Sequence, residues 1–365
     1  TPANKGALSH LRADDLAAQV IRGLMEKTGI DPAEIEDLIV GCAFPEAEQG
    51  LNVARMVGAL ADLPMSVTGV TVNRFCGSSM QAIHMAAGAV QMNAGDVFIC
   101  AGVESMTRVP IMGFNPMPNP ALFDRYPQAY ISMGETAENV AAKYGLSRAD
   151  QDAFAEHSHQ KAAAAQKAGR LTDEIIPVVT TAGTVDKDGC IRPETTSEKL
   201  AELKPAFDKD GTVTAGTSSP LTDGASAVLV CTREFADSTG LEPLAEIKGI
   251  ATDGCQPELM GIGPVGASRK ALSRAGIGVE ELDIIELNEA FAAQALANIQ
   301  DLGLNTDKIN LDGGAIAIGH PLGATGARIT GKAAQLLGRN GARYGLATQC
   351  IGGGQGIATV LEAIR

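Results

Sequence analysis

An internal repeat constrains the fold of this chain more than any single motif does. In each half a helical pattern ends at a Gly-Ile pair, and an acidic turn, an apolar run and an Ala-Phe pair follow in registers that agree within one residue. Duplicated halves predict a pseudo-two-fold molecule with a site between them. The matching segments are Gly29-Ile30, residues 36–40 and Ala43-Phe44 in the first half, and Gly276-Ile277, residues 282–286 and Ala290-Phe291 in the second.

The repeat continues through a second set of segments that are each strand-like or helical. We therefore read each half as a β/α unit with helices on a mostly parallel sheet, and we expect the two sheets to pack into a layered αβαβα body. The predicted halves are residues 1–236 and 241–365, and the proline-rich and polar stretch at about 111–218 is predicted to be an inserted loop subdomain. The second set comprises residues 70–72, 80–87, 93–95 and 99–102, with counterparts at 309–311, 325–337, 340–341 and 349–352.

Charge and cysteine usage exclude several classes of function. The 43 acidic and 29 basic residues give a net charge of −14, which argues against nucleic acid and anionic membranes as partners. Apolar runs end well short of the roughly 18 residues that a membrane span needs. Seven cysteines, none in a C-x-x-C pair, indicate a reducing compartment, and we expect the cytoplasm. With five histidines, of which His157 and His159 cannot share a helix face, no metal site is expected.

Cys76 lies where a β-branched run ends and a helical pattern begins. Unpaired N–H groups at a helix N-terminus favour thiolate over thiol, so we expect the thiol pKa to fall below its free value of about 8.5. Gly77 removes side-chain bulk beside the sulfur. Most free cysteines are small buried hydrophobes, however, and position alone leaves both interpretations open.

The two halves differ at residues that carry chemistry. Only the second half has Asn288 after its apolar run, His320 between glycines, and Cys350 at a strand end followed by Gly352. A histidine between glycines is unusual for a core position. By contrast, Gly261–Gly266 formally matches a dinucleotide fingerprint but follows no strand, so we interpret it as a tight turn into a helix at Ala267.

The remaining histidines carry no motif. We expect His84, on the helix after Cys76, to serve in packing. We expect His10, His157 and His159 to lie at the surface.

Four motifs together resemble those of the thiolase family, and the similarity runs along the whole chain. The resemblance implies the five-layered αβαβα thiolase fold with two duplicated βαβαβαββ halves. It also implies coenzyme A thioesters as substrates and Claisen chemistry that needs no metal or redox cofactor. The motifs are VNRFCGSSMQA around Cys76, LNEAFAAQ around Asn288, GGAIAIGHPLGATGAR around His320 and GLATQCIGGGQG around Cys350.

The resemblance assigns roles motif by motif. Cys76 matches the nucleophile, His320 its activating base, Cys350 the proton donor and acceptor, and Asn288 the holder of an oxyanion-hole water. The N–H groups of Cys76 and Gly352 would face the acyl-enzyme oxygen. Lys204 could equally be an ordinary solvated lysine. The positions that match coenzyme A contacts of the family are Ser219, Ala215, Phe291, Met133 and Lys204.

Smaller differences from the motifs of the family indicate which branch of it this chain resembles. Biosynthetic members have a histidine where this chain has Ser132, and residues 192–196 and 214–224 resemble the degradative branch. We therefore expect thiolytic cleavage of 3-ketoacyl-CoA by CoA in fatty-acid β-oxidation. The alternative is a biosynthetic acetoacetyl-CoA thiolase that runs the Claisen condensation.

The resemblance also bears on assembly. The short segment at 111–130 suggests a homodimer as the basic unit, with a dimer of dimers and a hydratase–dehydrogenase partner subunit as further possibilities. Family members usually have an apolar strand and an arginine before the Thr-Pro pair that opens this sequence. Either the sequence is a piece of a longer chain or the sheet does without that strand.

Three rival functions remain open. A decarboxylating condensing enzyme of the same fold would act on acyl carrier protein, and it usually has a second His or an Asn where this chain has Cys350. A Cys-His-Asn hydrolase could use Cys76, His320 and Asn288, with water resolving the acyl-enzyme. A lipid-carrying protein of the same fold would need none of these residues for chemistry.

Overall fold

The computed structural model describes residues 1–364. Helices from both halves surround two sheets, and short 3-10 turns join many of the elements. The helices are, in chain order, α1 (Ala13–Thr28), α2 (Val53–Leu60), α3 (Ser78–Gln91), α4 (Pro120–Arg125), α5 (Met133–Tyr144), α6 (Arg148–Lys167), α7 (Ser197–Ala201), α8 (Arg233–Thr239), α9 (Gly263–Ala275), α10 (Ala292–Leu302), α11 (Ala315–Ile318) and α12 (Thr325–Asn340).

The strands form two four-stranded sheets and one small hairpin. The first sheet has the order β2-β1-β3-β6, the second has the order β7-β10-β9-β8, and β4 pairs with β5. Each large sheet belongs to one half of the repeat. The strands are β1 (Asp37–Gly41), β2 (Thr68–Val72), β3 (Val97–Ser105), β4 (Val178–Thr180), β5 (Gly183–Val185), β6 (Asp223–Cys231), β7 (Ala245–Gly254), β8 (Ile284–Leu287), β9 (Tyr344–Ile351) and β10 (Gln355–Ala363).

The expectation of a mostly parallel sheet is confirmed for the first half and is wrong for the second, where most neighbouring strands are antiparallel. In the first sheet β1, β2 and β3 are parallel and β6 is antiparallel. In the second sheet only β8 and β9 are parallel. A turn with positive φ at Gly353 and Gly354 joins β9 directly to β10, and so short a connection allows only an antiparallel return. The predicted counterpart of β2 is reduced to one bridge between Ile285 and Ile309.

The sheets and helices form the five αβαβα layers that the repeat predicted. Helices α1 and α2 pack on the outer face of the first sheet, and α9, with α10 beside it, covers the outer face of the second. Helices α3 and α12 contact each other and lie between the two sheets. Strands β3 and β9 are buried along their whole length, which for β3 explains the continuous apolar run at residues 97–102.

The two central helices approach each other where both begin. A Cβ atom at Gly326 would lie 2.3 Å from the backbone nitrogen of Met80, so only glycine fits there. Next to this contact, the Ala327 N–H donates to Ser79 Oγ at 2.8 Å. The starts of α3 and α12, one from each half, are therefore fixed against each other in the interior.

The segment between β3 and β6 carries four helices, α4 to α7, and the hairpin β4–β5. The spacing Ser147-x-x-Asp150 is the sequence signature of a capping box, and that box opens α6. A second capping box, formed by Ser132 and Glu135, opens α5. The proline-rich segment expected to be loop contains α4 and a 3-10 turn at Pro127–Tyr130. No helix within residues 1–364 has the length and apolarity needed to cross a bilayer.

A groove runs along the free edge of β6. Thr1 and Asp223 exchange two backbone hydrogen bonds, of 2.8 and 2.9 Å. Beyond this pair, that edge of β6 has no strand partner in the part of the chain that the structure describes. A cavity of about 630 Å³ lies along it. In the second sheet, β7 covers the corresponding edge of β10.

Two local predictions were wrong. Helix α9 begins at Gly263, four residues before the predicted Ala267, because the glycines of that segment adopt helical geometry after a 3-10 turn. His159, predicted at the surface, is buried, and its Nδ1 accepts the Arg192 N–H at 3.2 Å.

The other histidines lie where they were expected. His84 packs in the interior with Nε2 2.9 Å from Thr359 Oγ1, while His10 and His157 are exposed.

We predict that Gly326→Ala destabilises the protein, because its methyl group would overlap Met80 in the closest contact of the two halves. Overpacking of this kind costs about 1–3 kcal/mol or more in free energy of unfolding. Gly338→Ala in the same helix is the matched control, since its added Cβ meets no atom within 4 Å. The control should be neutral or stabilising by up to about 1 kcal/mol. Urea unfolding midpoints test the pair, and equal midpoints would contradict the prediction.

Candidate active site

Cys76 lies in a tight turn between the end of β2 and the start of α3. Ser78 Oγ accepts the Arg74 N–H at 2.9 Å and donates to the Phe75 carbonyl at 2.6 Å, which closes the turn. Phe75 has φ 43°, a left-handed conformation that is strained for a bulky residue. The predicted strand-to-helix position of Cys76 is confirmed.

The second half of the chain holds this turn in place. Gln349 Nε2 donates to the Cys76 carbonyl at 2.6 Å. The Gly352 N–H lies near enough to the Cys76 sulfur to favour its thiolate form and so to lower the pKa of the thiol. A Cβ atom at Gly352 would lie 3.4 Å from Met133 Sδ and 3.7 Å from the Phe75 ring, so these side chains wall the space beside the sulfur.

Asn288 follows β8, and Cys350 lies near the end of the neighbouring parallel strand β9. Leu287 of β8 pairs with Thr348 of β9, and the Asn288 N–H donates to the Thr348 carbonyl at 3.0 Å. Both side chains therefore lie at the carboxyl end of the second sheet, where ligands of α/β proteins usually bind. Asn288 Nδ2 is 3.5 Å from His320 Nε2. The buried Asn288 Oδ1 has no hydrogen-bond partner within residues 1–364.

His320 is held by two hydroxyl groups. Its backbone N–H donates to Thr222 Oγ1 at 3.0 Å, and its Nδ1 lies 2.6 Å from Thr325 Oγ1. Thr325 in turn donates to the Pro321 carbonyl at 3.2 Å. Since Thr325 uses its proton on that carbonyl, it accepts from His320, which assigns the ring proton to Nδ1 and the lone pair to Nε2. This is the tautomer that a base acting through Nε2 requires.

The central helices bring these residues together. Cys76 comes two residues before the start of α3, and His320 comes five residues before the start of α12. The close contact of the two helix starts therefore places both residues in one region. There the Gly352 N–H reaches Cys76, and Asn288 reaches His320.

Burial keeps all three titratable groups of the site neutral. It raises the pKa of Cys76 to about 11, against the lowering effect of the Gly352 and Cys76 N–H groups. It lowers the pKa of His320 to about 3, and the Arg328 charge acts in the same direction. It raises the pKa of Cys350 well above the ordinary value, with a further contribution from Cys76. The expected low pKa of Cys76 is therefore wrong, because loss of solvation outweighs the helix N-terminus.

Three of the five residues matched to coenzyme A contacts lie beside the site. Phe291 and Met133 share an apolar cluster with Cys350. The Ser219 N–H donates to the Ala290 carbonyl at 2.9 Å, which fixes Ser219 next to Phe291.

The other two lie at the surface nearby. Ala215 and Lys204 are exposed on the two segments that the Pro205–Thr214 bridge joins.

Sequence analysis missed the residues that support the site. These residues are Thr222, Thr325 and Gln349, which are ordinary polar residues. The partners of Thr222 and Gln349 lie far away in the sequence, at up to 273 positions. Only Thr325, five positions after His320, lay within reach of a local search. Within residues 1–364 no group of three or more His, Cys, Asp or Glu side chains could hold a metal ion.

Comparison with known proteins identifies the family. The model described as "Thiolase, N-terminal domain" matches residues 1–234, and "Thiolase, C-terminal domain" matches residues 241–363. The chain belongs to the thiolase family. The resemblance and the fold that it implied are thereby confirmed.

Several relatives of this thiolase have a name that states an activity. A 3-ketoacyl-CoA thiolase of Bacillus subtilis is 48% identical over 99% of this chain and 95% of the relative. An acetyl-CoA acetyltransferase of Chromobacterium violaceum is 48% identical over 98% of this chain and 95% of the relative. The crystal structure of human mitochondrial 3-ketoacyl-CoA thiolase in complex with CoA superposes with a TM-score of 0.92 at 36% identity, covering 100% of this chain and 95% of that chain.

We predict that alkylation of Cys76 in the unliganded protein still accelerates above pH 9. A thiol with a pKa of about 11 is mostly protonated at neutral pH, so its reactive fraction grows as pH rises. Iodoacetamide labelling, followed by peptide mass spectrometry, measures the rate at Cys76. A plateau reached below pH 7 would instead indicate a thiolate–imidazolium pair with His320.

Proposed function

We propose that this thiolase cleaves 3-ketoacyl-CoA with CoA to give acetyl-CoA and an acyl-CoA shortened by two carbons. The observation that carries the proposal is the convergence of two thiols, an imidazole and a carboxamide, contributed by both halves of the repeat. The activity named for the Bacillus subtilis relative agrees with it. The proposed setting is the degradation of fatty acids by β-oxidation.

In the first half-reaction Cys76 is the proposed nucleophile. His320 Nε2 takes the thiol proton while the sulfur attacks C3 of the substrate. The bond between C2 and C3 then breaks, and acetyl-CoA leaves as an enolate whose oxygen lies against His320 and a water held by Asn288. Cys350 protonates the enolate carbon. The products of this step are acetyl-CoA and an acyl group on Cys76.

In the second half-reaction a new CoA takes the acyl group. Its thiol loses a proton to the His320–Cys350 pair and attacks the thioester carbonyl. The carbonyl oxygen becomes negative and would lie against the N–H groups of Cys76 and Gly352, and the loss of one such donor typically costs about 10²–10³ in rate. The Cys76 sulfur is expelled and recovers the proton that His320 took in the first half-reaction, which restores the starting enzyme.

Sulfur suits this transfer better than oxygen does. The acyl-enzyme is a thioester, and its acyl group is transferred as readily as that of the substrate, whereas a serine ester would be a deeper trap. The neutral resting states of Cys76 and His320 also fit. Proton transfer then accompanies bond formation, and negative charge appears only where N–H groups are ready to accept it.

The alternative is a biosynthetic acetoacetyl-CoA thiolase that condenses two acetyl-CoA molecules. The name of the Chromobacterium violaceum relative supports it. Against it stands Ser132, which caps α5 next to Met133 where biosynthetic members have a histidine. A condensing enzyme that uses acyl carrier protein and a simple hydrolase are disfavoured by the buried Cys350 and by the coenzyme A thioester activities that the relatives' names state.

Contacts with coenzyme A are proposed for five positions. Phe291, Met133 and Ser219 would line the approach to Cys76. Ala215 and Lys204 would contact the part of coenzyme A that lies at the protein surface. We propose no metal or redox cofactor, since every step uses side chains of this chain or the thiol of CoA.

The proposed assembly is a homodimer formed across β2. This strand lies at the edge of the first sheet, and its outer edge has no strand partner in the described part of the chain. The segment that precedes β2 carries exposed apolar side chains, including Leu51 at 87% and Met65 at 76% exposure. So much exposed apolar surface beside an open strand edge is typical of an interface between copies.

Further parts of the proposal concern organisation and setting. We propose two halves, residues 1–236 and 241–365, with residues from about 111 to 218 as an inserted subdomain. A dimer of dimers and a hydratase–dehydrogenase partner subunit are further candidates for assembly. The proposed location is the cytoplasm, because the free cysteines suit a reducing compartment.

We predict CoA-dependent cleavage of 3-ketoacyl-CoAs of several chain lengths, measured as loss of the substrate or release of acetyl-CoA. Cys76→Ala should abolish cleavage, and Asn288→Ala should reduce kcat by about 10²-fold, through loss of an oxyanion contact. Activity confined to acetoacetyl-CoA would favour the biosynthetic alternative. Acyl release from Cys76 that does not respond to CoA would favour the hydrolase.

We predict that Leu51→Glu combined with Met65→Glu shifts the protein from dimer to monomer, because the added charges would be buried at the proposed interface. Light scattering at micromolar concentration measures the mass. Val179→Glu, at an exposed apolar residue of the hairpin β4–β5, is the control and should leave the dimer intact. A wild-type protein that is already monomeric would refute the interface.

A further inference from the structure

The segment that carries His320 has little regular secondary structure. This segment, residues 313–324, is called the histidine loop below, and its longest regular element is the four-residue helix α11. It contains two glycines with left-handed φ, at 313 and 319. Regular structure of its own does not fix the ring of His320, so the loop needs support from the surrounding protein.

Glu104 supports the loop after His320. Glu104 lies at the end of β3, is 1% exposed, and accepts the Gly323 N–H at 2.9 Å. The same carboxylate accepts the N–H groups of Ala43 at 2.8 Å and Phe44 at 3.2 Å, and the Gln49 amide at 2.9 Å. A carboxylate of the first half therefore ties the histidine loop to the segment that follows β1.

Glu289 supports the loop before His320. It follows Asn288, is 2% exposed, and accepts the Ile316 N–H at 3.2 Å. It also accepts the Asn310 amide at 2.7 Å and the Ser158 hydroxyl at 2.6 Å. The Gly314 N–H donates to the same Ser158 hydroxyl at 3.1 Å, which adds an indirect contact.

We propose that Glu104 and Glu289 are positioning residues that clamp the histidine loop from its two sides and so hold His320 Nε2 beside Asn288. The inference rests on the proposed function for the importance of His320. It goes beyond that function by assigning roles to two carboxylates that do not touch the reacting atoms. Each half of the repeat contributes one of them.

Close packing explains why glycine stands opposite each carboxylate. A Cβ atom at Gly323 would lie 2.8 Å from Glu104 Oε2 and equally close to the Gly41 carbonyl. A Cβ atom at Gly314 would lie 2.0 Å from the Glu289 carboxyl carbon. Both distances are too short for a side chain, so the loop backbone must approach the carboxylates without one.

Carboxylates suit this task better than amides. An ionised carboxylate only accepts hydrogen bonds, and its two oxygens can receive four donors at once. Each carboxylate here faces only donors, which are N–H groups, the Ser158 hydroxyl at Glu289 and the Cys42 thiol at Glu104. A glutamine at either position would turn an NH₂ group toward one of them and break at least one contact.

The test compares Glu104→Gln and Glu289→Gln with the control Glu286→Gln. Glu286 is an equally buried carboxylate, at 2% exposure, which has no contact with the histidine loop among the hydrogen bonds of residues 1–364. We expect the two clamp variants to lose about 10²-fold in kcat, the effect of a small displacement of a catalytic group, with KM little changed. The control should retain wild-type kcat.

A second readout does not depend on turnover. NMR of ¹⁵N-histidine-labelled protein, with the His320 signal assigned from His320→Asn, reports the charge of each ring. In the wild type, burial keeps His320 neutral from about pH 5 to about pH 8. A loosened loop admits water, so in both clamp variants the His320 pKa should move up toward its ordinary value. The control variant should show no such shift.

The two clamp variants also distinguish the effect of a lost carboxylate charge on Cys76 from the effect of a displaced histidine loop. The Glu104 carboxylate lies near enough to raise the pKa of Cys76, whereas the Glu289 carboxylate has no such effect. An equal kcat loss in both variants is therefore due to the shared loop. Gly323→Ala, which pushes the loop off Glu104 without removing a charge, should reproduce the loss, and Gly338→Ala should not.

The kcat values and the His320 titration together decide whether the clamp exists. The clamp is supported if both variants lose kcat and shift the His320 titration while retaining the thermal unfolding midpoint of the control. It is overturned if His320 titrates in them as in the wild type, whatever happens to kcat. If the wild type cleaves no 3-ketoacyl-CoA, the proposed function fails, and the His320 titration still decides the clamp.

Discussion

The contact between the starts of α3 and α12 is the constraint on which the site depends. Each helix belongs to a different half, and each begins just after a candidate catalytic residue, Cys76 or His320. Because Gly326 lets the backbones approach next to Met80, both helix starts occupy one buried region. A single close contact in the central layer thus decides where the two chemically active segments meet.

Burial produces reactivity here in an indirect way. The interior that aligns the groups also removes water from them, so the pKa of Cys76 rises and that of His320 falls. The resting site is neutral, and its backbone N–H groups are directed at atoms that become charged only during the reaction. Pre-organised donors in such a low-dielectric region act more strongly on a developing charge than they would in water.

Much of the fold was predictable from the sequence because the repeat is a long, internally consistent signal. The five layers, the capping box at Ser147 and the strand-to-helix turn at Cys76 followed from periodicity and local chemistry. The antiparallel pairs of the second sheet did not, because the direction of β10 depends on the turn at Gly353 and on its pairing with β7, which lies far away in the sequence. The buried position of His159 was missed for the same reason, since its covering segment lies about 33 residues away.

By itself, the sequence singled out the four candidate catalytic residues, since each lies in a motif that resembles one of the thiolase family. The tertiary structure decided their protonation states and their support. Desolvation and the clamping carboxylates Glu104 and Glu289 are long-range properties. A pKa depends on how much water the whole fold removes, and the hydrogen bond that the Gly323 N–H donates to Glu104 joins residues 219 positions apart. Neither the pKa values nor these long-range hydrogen bonds can be predicted from the local sequence.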